Sequence, residues 1–177
     1  MNNNLENTHN NTNNNTNIED INVNTLRICR SGKNYYNITD DKNTQICVNE
    51  IYSHIPFGIE RFNNKIILNI ELITSNESNN IVSKIENLEK YISTKLPNLG
   101  LTTCVKKSKL GHIIRGHYMK NTECYILKKN GEKMNVDESN LQLSDCKINI
   151  IIKGIWTTDN NCGLYVGINS INIVKFN

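Results

Sequence analysis

The chain has 177 residues, enough for one domain, and its 20 basic and 17 acidic residues give a formal net charge of +3. No apolar run approaches the roughly 20 residues that span a bilayer, and the first residues show no signal-peptide pattern. The six cysteines are widely spaced without a CxxC pair, which predicts free, mostly buried thiols rather than a zinc site or a disulfide framework. We therefore expect a protein that is not secreted and works in a reducing, cytoplasmic-type environment.

The first 24 residues are a low-complexity tract of Asn and Thr with few sizeable apolar side chains. Such a segment buries too little surface to offset the entropy lost on ordering, so it is predicted to be disordered. The remaining residues, 25–177, are predicted to form a single domain.

Strands are predicted at residues 26–30, 35–38, 45–52 and 65–73. Ser31-Gly32 is the expected turn between the first two strands, and Pro56-Phe57-Gly58 interrupts the chain after the third. In the fourth strand, apolar residues alternate with Asn69 and Glu71, which is typical of a strand with one buried face.

One strong helix follows these strands. Its apolar stripe has helical spacing and consists of Ile81, Ile85, Leu88, Ile92 and Leu96. Ser78 or Asn79 is the expected N-cap, and Pro97 follows the predicted end.

After the helix, further strands are predicted at residues 112–119, 124–128, 147–156 and 164–174. Asn130-Gly131 predicts a hairpin turn, and residues 159–163 connect the last two strands. The order predicts a mainly β fold with one helix. The chain fits a five-stranded oligonucleotide-binding (OB) barrel with its helix between the third and fourth strands and extra C-terminal strands. An α+β sandwich of another topology fits almost as well.

The positive charge is concentrated in residues 101–133, where eight basic residues face only Glu123 and Glu132. Lys106, Lys107 and Lys109 are expected in the loop that leads from the helix into the next strand. Arg115 and His117 are expected on one face of that strand, with His112 and Tyr118 on the other. Such a basic stretch suits a phosphate backbone, although a solvated surface is the alternative interpretation.

Single strands are also held by bases that stack on aromatic rings. The nine aromatic candidates are Tyr35, Tyr36, Tyr52, Phe57, Phe62, Tyr118, Tyr125, Trp156 and Tyr165. Tyr35 and Tyr36, beside a turn, and Tyr118, inside the basic stretch, are preferred, whereas Phe57 and Trp156 are interpreted as core residues. The predicted nucleic-acid-binding residues are therefore Lys106, Lys107, Lys109, Arg115, Tyr118, Lys120, Lys128, Lys129, Tyr35 and Tyr36.

The sequence contains no recognisable catalytic constellation. His112 and His117 are five residues apart on a predicted strand, so their side chains should point to opposite faces and not share a metal. No phosphate-binding glycine-rich loop is present. We therefore predict no enzymatic activity, no cofactor and no metal.

Four short segments resemble one family. They are residues 55–60 (IPFGIE), 64–70 (NKIILNI), 152–156 (IKGIW) and 162–165 (CGLY). They are similar to the phage-type single-stranded DNA-binding proteins of large nucleocytoplasmic DNA viruses. Asn and Ile, which are abundant in this chain, are encoded by AT-rich codons, and an AT-rich viral genome would explain their abundance. The resemblance implies an OB barrel that coats single strands during replication or recombination in the host cytoplasm or a viral factory. Phage members end in an acidic tail, whereas this chain ends in Lys175-Phe176-Asn177, so tail-mediated recruitment of partners is not expected.

The resulting prediction is a non-enzymatic, sequence-nonspecific single-stranded DNA-binding protein. Its partners would be single-stranded DNA, with replication proteins and further copies of the chain as additional candidates, and no membrane. The main alternative is a structural or assembly protein of a large DNA virus particle. A binder of duplex DNA or of RNA is a third interpretation, because backbone charge is common to all these polymers.

Overall fold

The computed structural model describes residues 15–63 and 65–176, which form strands, one long helix and three short 3-10 helices. The strands are β1 (Asn15–Asn17), β2 (Arg27–Gly32), β3 (Tyr35–Thr39), β4 (Gln45–Ile55), β5 (Ile59–Phe62), β6 (Lys65–Ile73), β7 (Gly100–Leu101), β8 (Val105–Lys107), β9 (Gly111–Leu127), β10 (Lys133–Asn135), β11 (Ser144–Thr157) and β12 (Asn161–Phe176). Helix α1 spans Asn76–Lys95, and the 3-10 helices span Ile18–Asp20, Val23–Thr25 and Glu138–Asn140.

Five of the strands close into a ring. Their order is β4-β6-β9-β12-β11, and β11 pairs back onto β4. The β9–β12 pair is parallel and the other four pairs are antiparallel. This closed sheet confirms the predicted OB-like barrel, with additional strands, and not the alternative sandwich.

The additional strands are not where we predicted them. β1, β2 and β3 precede the ring, and β5, β7, β8 and β10 are inserted into it, whereas the C-terminal pair β11 and β12 belongs to the ring itself. Helix α1 lies between the second and third ring strands, β6 and β9, and not between the third and fourth. β11 and β12 join the ring because both carry inward-facing apolar residues along most of their length.

Helix α1 begins earlier than predicted because Ser75 caps it. The Ser75 hydroxyl accepts a hydrogen bond from the Ser78 N–H at 3.0 Å, and the Ser78 hydroxyl accepts one from the Ser75 N–H at 2.9 Å. The helix ends at Lys95, close to the predicted end before Pro97. Its apolar stripe is buried as predicted, at Ile81, Ile85, Leu88 and Ile92.

Residues 15–24 are part of the fold, so the prediction of disorder up to residue 24 was wrong for them. β1 pairs in parallel with β4, and Ile18 is buried in the core. Asn17 and Asn22 accept hydrogen bonds that cap the two N-terminal 3-10 helices, so this Asn-rich segment supplies its own capping groups. Residues 1–14 lie outside the described residues.

Three local predictions also differ from the structure. The turn between β2 and β3 is formed by Lys33 and Asn34 rather than Ser31-Gly32. Residues 105–107, predicted as loop, form β8. The predicted gap between residues 119 and 124 is an irregularity inside the single long strand β9, because Tyr118 is opposite Ile168 and Glu123 is opposite Ser170.

The barrel interior and the underside of α1 form one apolar core in which Ile is the commonest residue. All six cysteines are free, and Cys29 is the exposed one, as the prediction of mostly buried thiols requires. No helix within residues 15–63 and 65–176 is long and apolar enough to cross a membrane.

Candidate nucleic-acid interface

A groove runs along the outer face of β9. It consists of two adjoining depressions of about 380 and 710 Å³, which share Lys65, His117 and Tyr165. We call it the β9 groove, and its charged and ring-bearing lining residues are Arg61, Phe62, Lys65, Lys106, Arg115, His117, Tyr118, Lys120, Glu138, Trp156 and Tyr165.

The alternation of side chains along β9 produces this surface. Ile114 and Gly116 are buried and point into the barrel, while Arg115 and His117 point outward between them. On one side, His117 is opposite Ile67 of β6, and on the other it is opposite Gly167 of β12. β6, β9 and β12 thus form the floor of the groove, and residues of β5, β8 and β11 add to its lining.

Four exposed cations line the groove without an ion pair to any described residue: Lys65, Lys106, Arg115 and Lys120. Arg61 differs from them, because its guanidinium lies 2.7 Å from the Glu138 carboxylate. Burial lowers the pKa of His117, and the charges of Lys65 and Arg115 lower it further. The His117 side chain therefore lies in the positive field of Lys65 and Arg115, which would attract an anion.

Aromatic rings form a row across the same surface. The rings of His117 and Tyr165 are stacked, with centroids 4.3 Å apart and planes inclined by 27°. The Tyr35 ring meets Tyr165 edge-on at 6.2 Å, and Tyr35 is opposite Trp156 in the β3–β11 pair. Phe62, on the rim, has 62% of its surface exposed. The groove therefore offers rings beside its cations.

Glycine residues allow two of these rings to lie directly on the backbone. A Cβ added to Gly163 would lie 2.7 Å from the ring atom Cζ2 of Trp156. A Cβ added to Gly154 would lie 2.7 Å from Cζ of Tyr35. Each ring is thus supported from below by main chain, and the half-buried Trp156 still contributes to the lining of the groove.

One wall of the groove, residues 102–104, is tied to helix α1 by a buried carboxylate. Oε1 of Glu89 accepts a hydrogen bond from the Cys104 N–H at 2.7 Å, and Glu89 is only 2% exposed. The Cys104 carbonyl in turn accepts from the Arg115 N–H at 3.0 Å. Burial raises the pKa of Glu89, although the bond from Cys104 opposes this shift. The wall is held from both sides by these two bonds.

The structure brings some of the predicted residues together. Lys106, Arg115, Tyr118 and Lys120 line the β9 groove, and Tyr35 adjoins it through Tyr165. Tyr118, predicted on the face opposite His117, packs partly against the core but also lines the second depression, at the irregular stretch of β9.

The other predicted residues lie elsewhere. Lys107 and Lys109 lie at the turn between β8 and β9, beyond the groove lining. Lys128 and Lys129 lie at the β9–β10 hairpin, where Nζ of Lys128 is 3.0 Å from a Glu132 carboxylate oxygen. Tyr36 packs against the hydrophobic core.

Five groove residues were not among the predicted binding residues: Phe62, Lys65, His117, Trp156 and Tyr165. Lys65 lies far from the basic stretch in sequence, and the pairing of β6 with β9 brings it close to His117. Trp156 was interpreted as a core residue but is half-buried in the groove. His117 could have been found, because its spacing from Arg115 placed both side chains on one face.

Among residues 15–63 and 65–176, no group of three or more His, Cys, Asp or Glu side chains is arranged to hold a metal ion. The β9 groove itself is lined by cations and aromatic rings, together with the carboxylate of Glu138.

No protein-family model matches the chain, and no curated protein sequence matches it significantly. Among solved structures, it is similar to the single-stranded DNA-binding protein from bacteriophage Enc34. The free protein is 12% identical, with a TM-score of 0.50 over 85% of this chain and 89% of the phage chain. The same protein in complex with single-stranded DNA is 13% identical (TM-score 0.48, 86% and 96% covered), and its C-terminal truncation is 12% identical (TM-score 0.48, 87% and 97% covered). At this identity, the likeness of the free form shows that the two chains share a fold.

Proposed function

We propose that this protein binds single-stranded DNA in the β9 groove, without strong sequence preference. The observation that carries the proposal is the combination of four cations that pair with no carboxylate in the described part of the chain and a row of rings along one wall of an OB-like barrel. Cations that follow a backbone and rings that stack bases are the two elements of nonspecific single-strand binding.

Each group has a defined task in this proposal. Lys65, Lys106, Arg115 and Lys120 would neutralise phosphates and release the counterions condensed on the strand. Trp156 and Phe62, one half-buried and one exposed, would stack bases. Every base has a π-face, so stacking of this kind selects no sequence.

Other predicted residues receive different roles. Tyr118 would contribute a further ring at the second depression, and Tyr35 would support Tyr165 from its edge. Lys128, Lys129 and Tyr36 are left outside the proposed contact surface, because the first two lie on a distant hairpin and the third packs against the core.

The groove favours single strands over duplexes for a geometric reason. In a duplex the bases are stacked on one another and their faces cannot reach protein rings. Duplex DNA would offer its phosphates to the same cations but would lose the stacking contribution of roughly 1–3 kcal/mol per base.

The biological setting is a further part of the proposal. The Enc34 protein, which shares the fold, is described as a single-stranded DNA-binding protein and was solved in complex with single-stranded DNA. The abundance of Asn and Ile suits an AT-rich genome. We infer a protein of a large DNA virus that coats strands exposed during replication or recombination, without catalytic activity of its own.

Fluorescence anisotropy tests the proposal. Labelled oligo-dT is titrated with the full chain at 50 and 200 mM salt, and unlabelled duplex DNA and oligo-U of equal length serve as competitors. We expect tight, salt-sensitive binding that duplex displaces poorly, and the oligo-U arm separates DNA from RNA. No binding of oligo-dT at 50 mM salt would reject the proposal and favour an assembly protein of a virus particle.

A further inference from the structure

The turn between β8 and β9 presents a leucine to solvent. Leu110 is 68% exposed, more than any other large hydrophobic residue in the described part of the chain. Apolar side chains that protrude singly are common on protein surfaces, so exposure alone indicates nothing. What distinguishes Leu110 is the way in which its turn is held.

A network of hydrogen bonds fixes this turn. The Ser108 hydroxyl accepts from the N–H groups of Leu110 at 3.2 Å and Gly111 at 3.0 Å, and it donates to the buried carboxylate of Glu71 at 2.6 Å. The Thr74 hydroxyl donates to the Leu110 carbonyl at 2.8 Å. Leu110 is therefore held outward by a rigid turn and does not lie on a frayed loop.

The turn also packs tightly on the end of β6. A Cβ added to Gly111 would lie 2.4 Å from the Leu72 carbonyl oxygen and 3.0 Å from the Thr74 hydroxyl. Glycine is required here because the two backbones approach so closely. The position of Leu110 is thus set by the barrel itself.

The surroundings of Leu110 are basic. Lys107 and Lys109 are exposed and form no ion pair with any described residue. The nearby carboxylate of Glu71 is buried and already bonded to Ser108. An apolar tip flanked by free cations complements a nucleic acid, which presents phosphates around apolar base faces.

The turn lies at one end of the β9 groove. Arg115 marks the near end of the groove and Lys120 the far end, and both are on β9. Four residues separate Gly111 from Arg115, which at about 3.3 Å per residue places the turn roughly 13 Å beyond Arg115. A single strand held beside Arg115 and running towards the turn would therefore place its junction with a duplex near Leu110.

We propose that the β8–β9 turn binds the end of a DNA duplex at the junction between single-stranded and double-stranded DNA, with Leu110 packed against the terminal base pair. This inference rests on the proposed function, because the groove must hold the adjoining single strand. Lys107 and Lys109 contact phosphates of the duplex end. Leucine lacks a ring for stacking a splayed base, whereas aliphatic side chains serve as wedges at base steps in other proteins.

The test compares two exposed leucines at opposite ends of β9. Leu110→Ser removes the tip, and Leu127→Ser is the matched control, since Leu127 is 51% exposed at the β9–β10 hairpin. Both variants are expected to keep the wild-type melting temperature, because both side chains face solvent. Affinities are measured by anisotropy for oligo-dT and for a hairpin duplex with a short dT tail.

For the tailed duplex, Leu110→Ser should weaken binding about tenfold, the lower end of the effect of covering a leucine completely. Its affinity for oligo-dT should stay within about twofold of wild type, and Leu127→Ser should match wild type on both ligands. Wild-type affinity of Leu110→Ser for the tailed duplex would overturn the inference, as would an equal loss on both ligands. If the proposed function is wrong, the result is distinguishable, because neither the wild-type protein nor the variants would bind oligo-dT.

Discussion

The most discriminating prediction concerns the salt dependence of DNA binding. Replacing Lys65, Lys106 and Arg115 by Gln removes three of the four cations in the β9 groove that form no ion pair with a described residue. All three side chains are exposed, so the substitutions should leave the fold intact. Because the variant neutralises fewer phosphates, it should release fewer counterions when it binds DNA.

The magnitude follows from the count of contacts. Each neutralised phosphate contributes about 0.7 to the slope of log K against log salt for a single strand. Four contacts give a wild-type slope of about −2.8, so affinity should fall about 50-fold between 50 and 200 mM salt. With one contact left, the slope is about −0.7 and the fall is about threefold. If the two proteins bind equally at 1 M salt, the variant is weaker by about 500-fold at 50 mM and about 30-fold at 200 mM.

A charge-matched control separates the groove from net charge. Lys128, Lys133 and Lys147 are paired with carboxylates at 3.0, 2.7 and 3.3 Å, and all lie outside the groove lining. Replacing these three by Gln changes the net charge by the same −3 as the groove variant. The assay is anisotropy with labelled oligo-dT at several salt concentrations.

We expect the control to keep a slope close to wild type. Equal slopes for the groove variant and the wild type would refute the assignment of phosphate contacts to the β9 groove. Equal loss in both triple variants would show that overall charge, and not this surface, governs binding.

Three further predictions concern single side chains. Trp156→Leu should weaken binding of oligo-dT at fixed salt by about 5- to 150-fold, the loss of one stacked base, and an unchanged affinity would place Trp156 outside the site. Burial and the neighbouring charges lower the pKa of His117, and bound phosphates would raise it again by offsetting those charges. The affinity for oligo-dT should therefore rise as the pH falls from 8 to 6. His117→Gln should abolish this pH dependence in the same titration. Burial acts to raise the pKa of Asp40, but hydrogen bonds led by those from Thr16 and Thr44 lower it to about 2. The ionised carboxylate therefore stabilises the fold above pH 4, and this stabilisation disappears towards pH 2. In thermal melts, Asp40→Asn should narrow the difference between the Tm at pH 4 and the Tm at pH 2.

Strand β6 and helix α1 were predicted well from the sequence because their signals are local. Period-two alternation in β6 and helical spacing in α1 each depend on a few adjacent residues, and both elements match the structure closely. The location of the extra strands was predicted wrongly because strands that pair with each other are distant in sequence. β4 and β11 close the ring although about a hundred residues separate them.

The candidate site was predicted less completely for the same reason. Charge density along the chain drew attention to Lys106, Arg115 and Lys120, which do line the groove. It also drew attention to Lys128, whose charge is balanced by Glu132 across a hairpin. Lys65 and Trp156 come from other strands, so no window of sequence contains them together with Arg115.

The position of β12 within the ring determines when the barrel can close during synthesis of the chain. β12 lies between β9 and β11, so the barrel cannot close until residues 161–176 have been synthesised. Until then, β9 and β11 each present an unpaired edge that can pair with another chain. Because the groove uses side chains from β9, β11 and β12, the proposed DNA interface is complete only after the barrel has closed. An incomplete chain therefore exposes unpaired strand edges and at the same time lacks the complete groove.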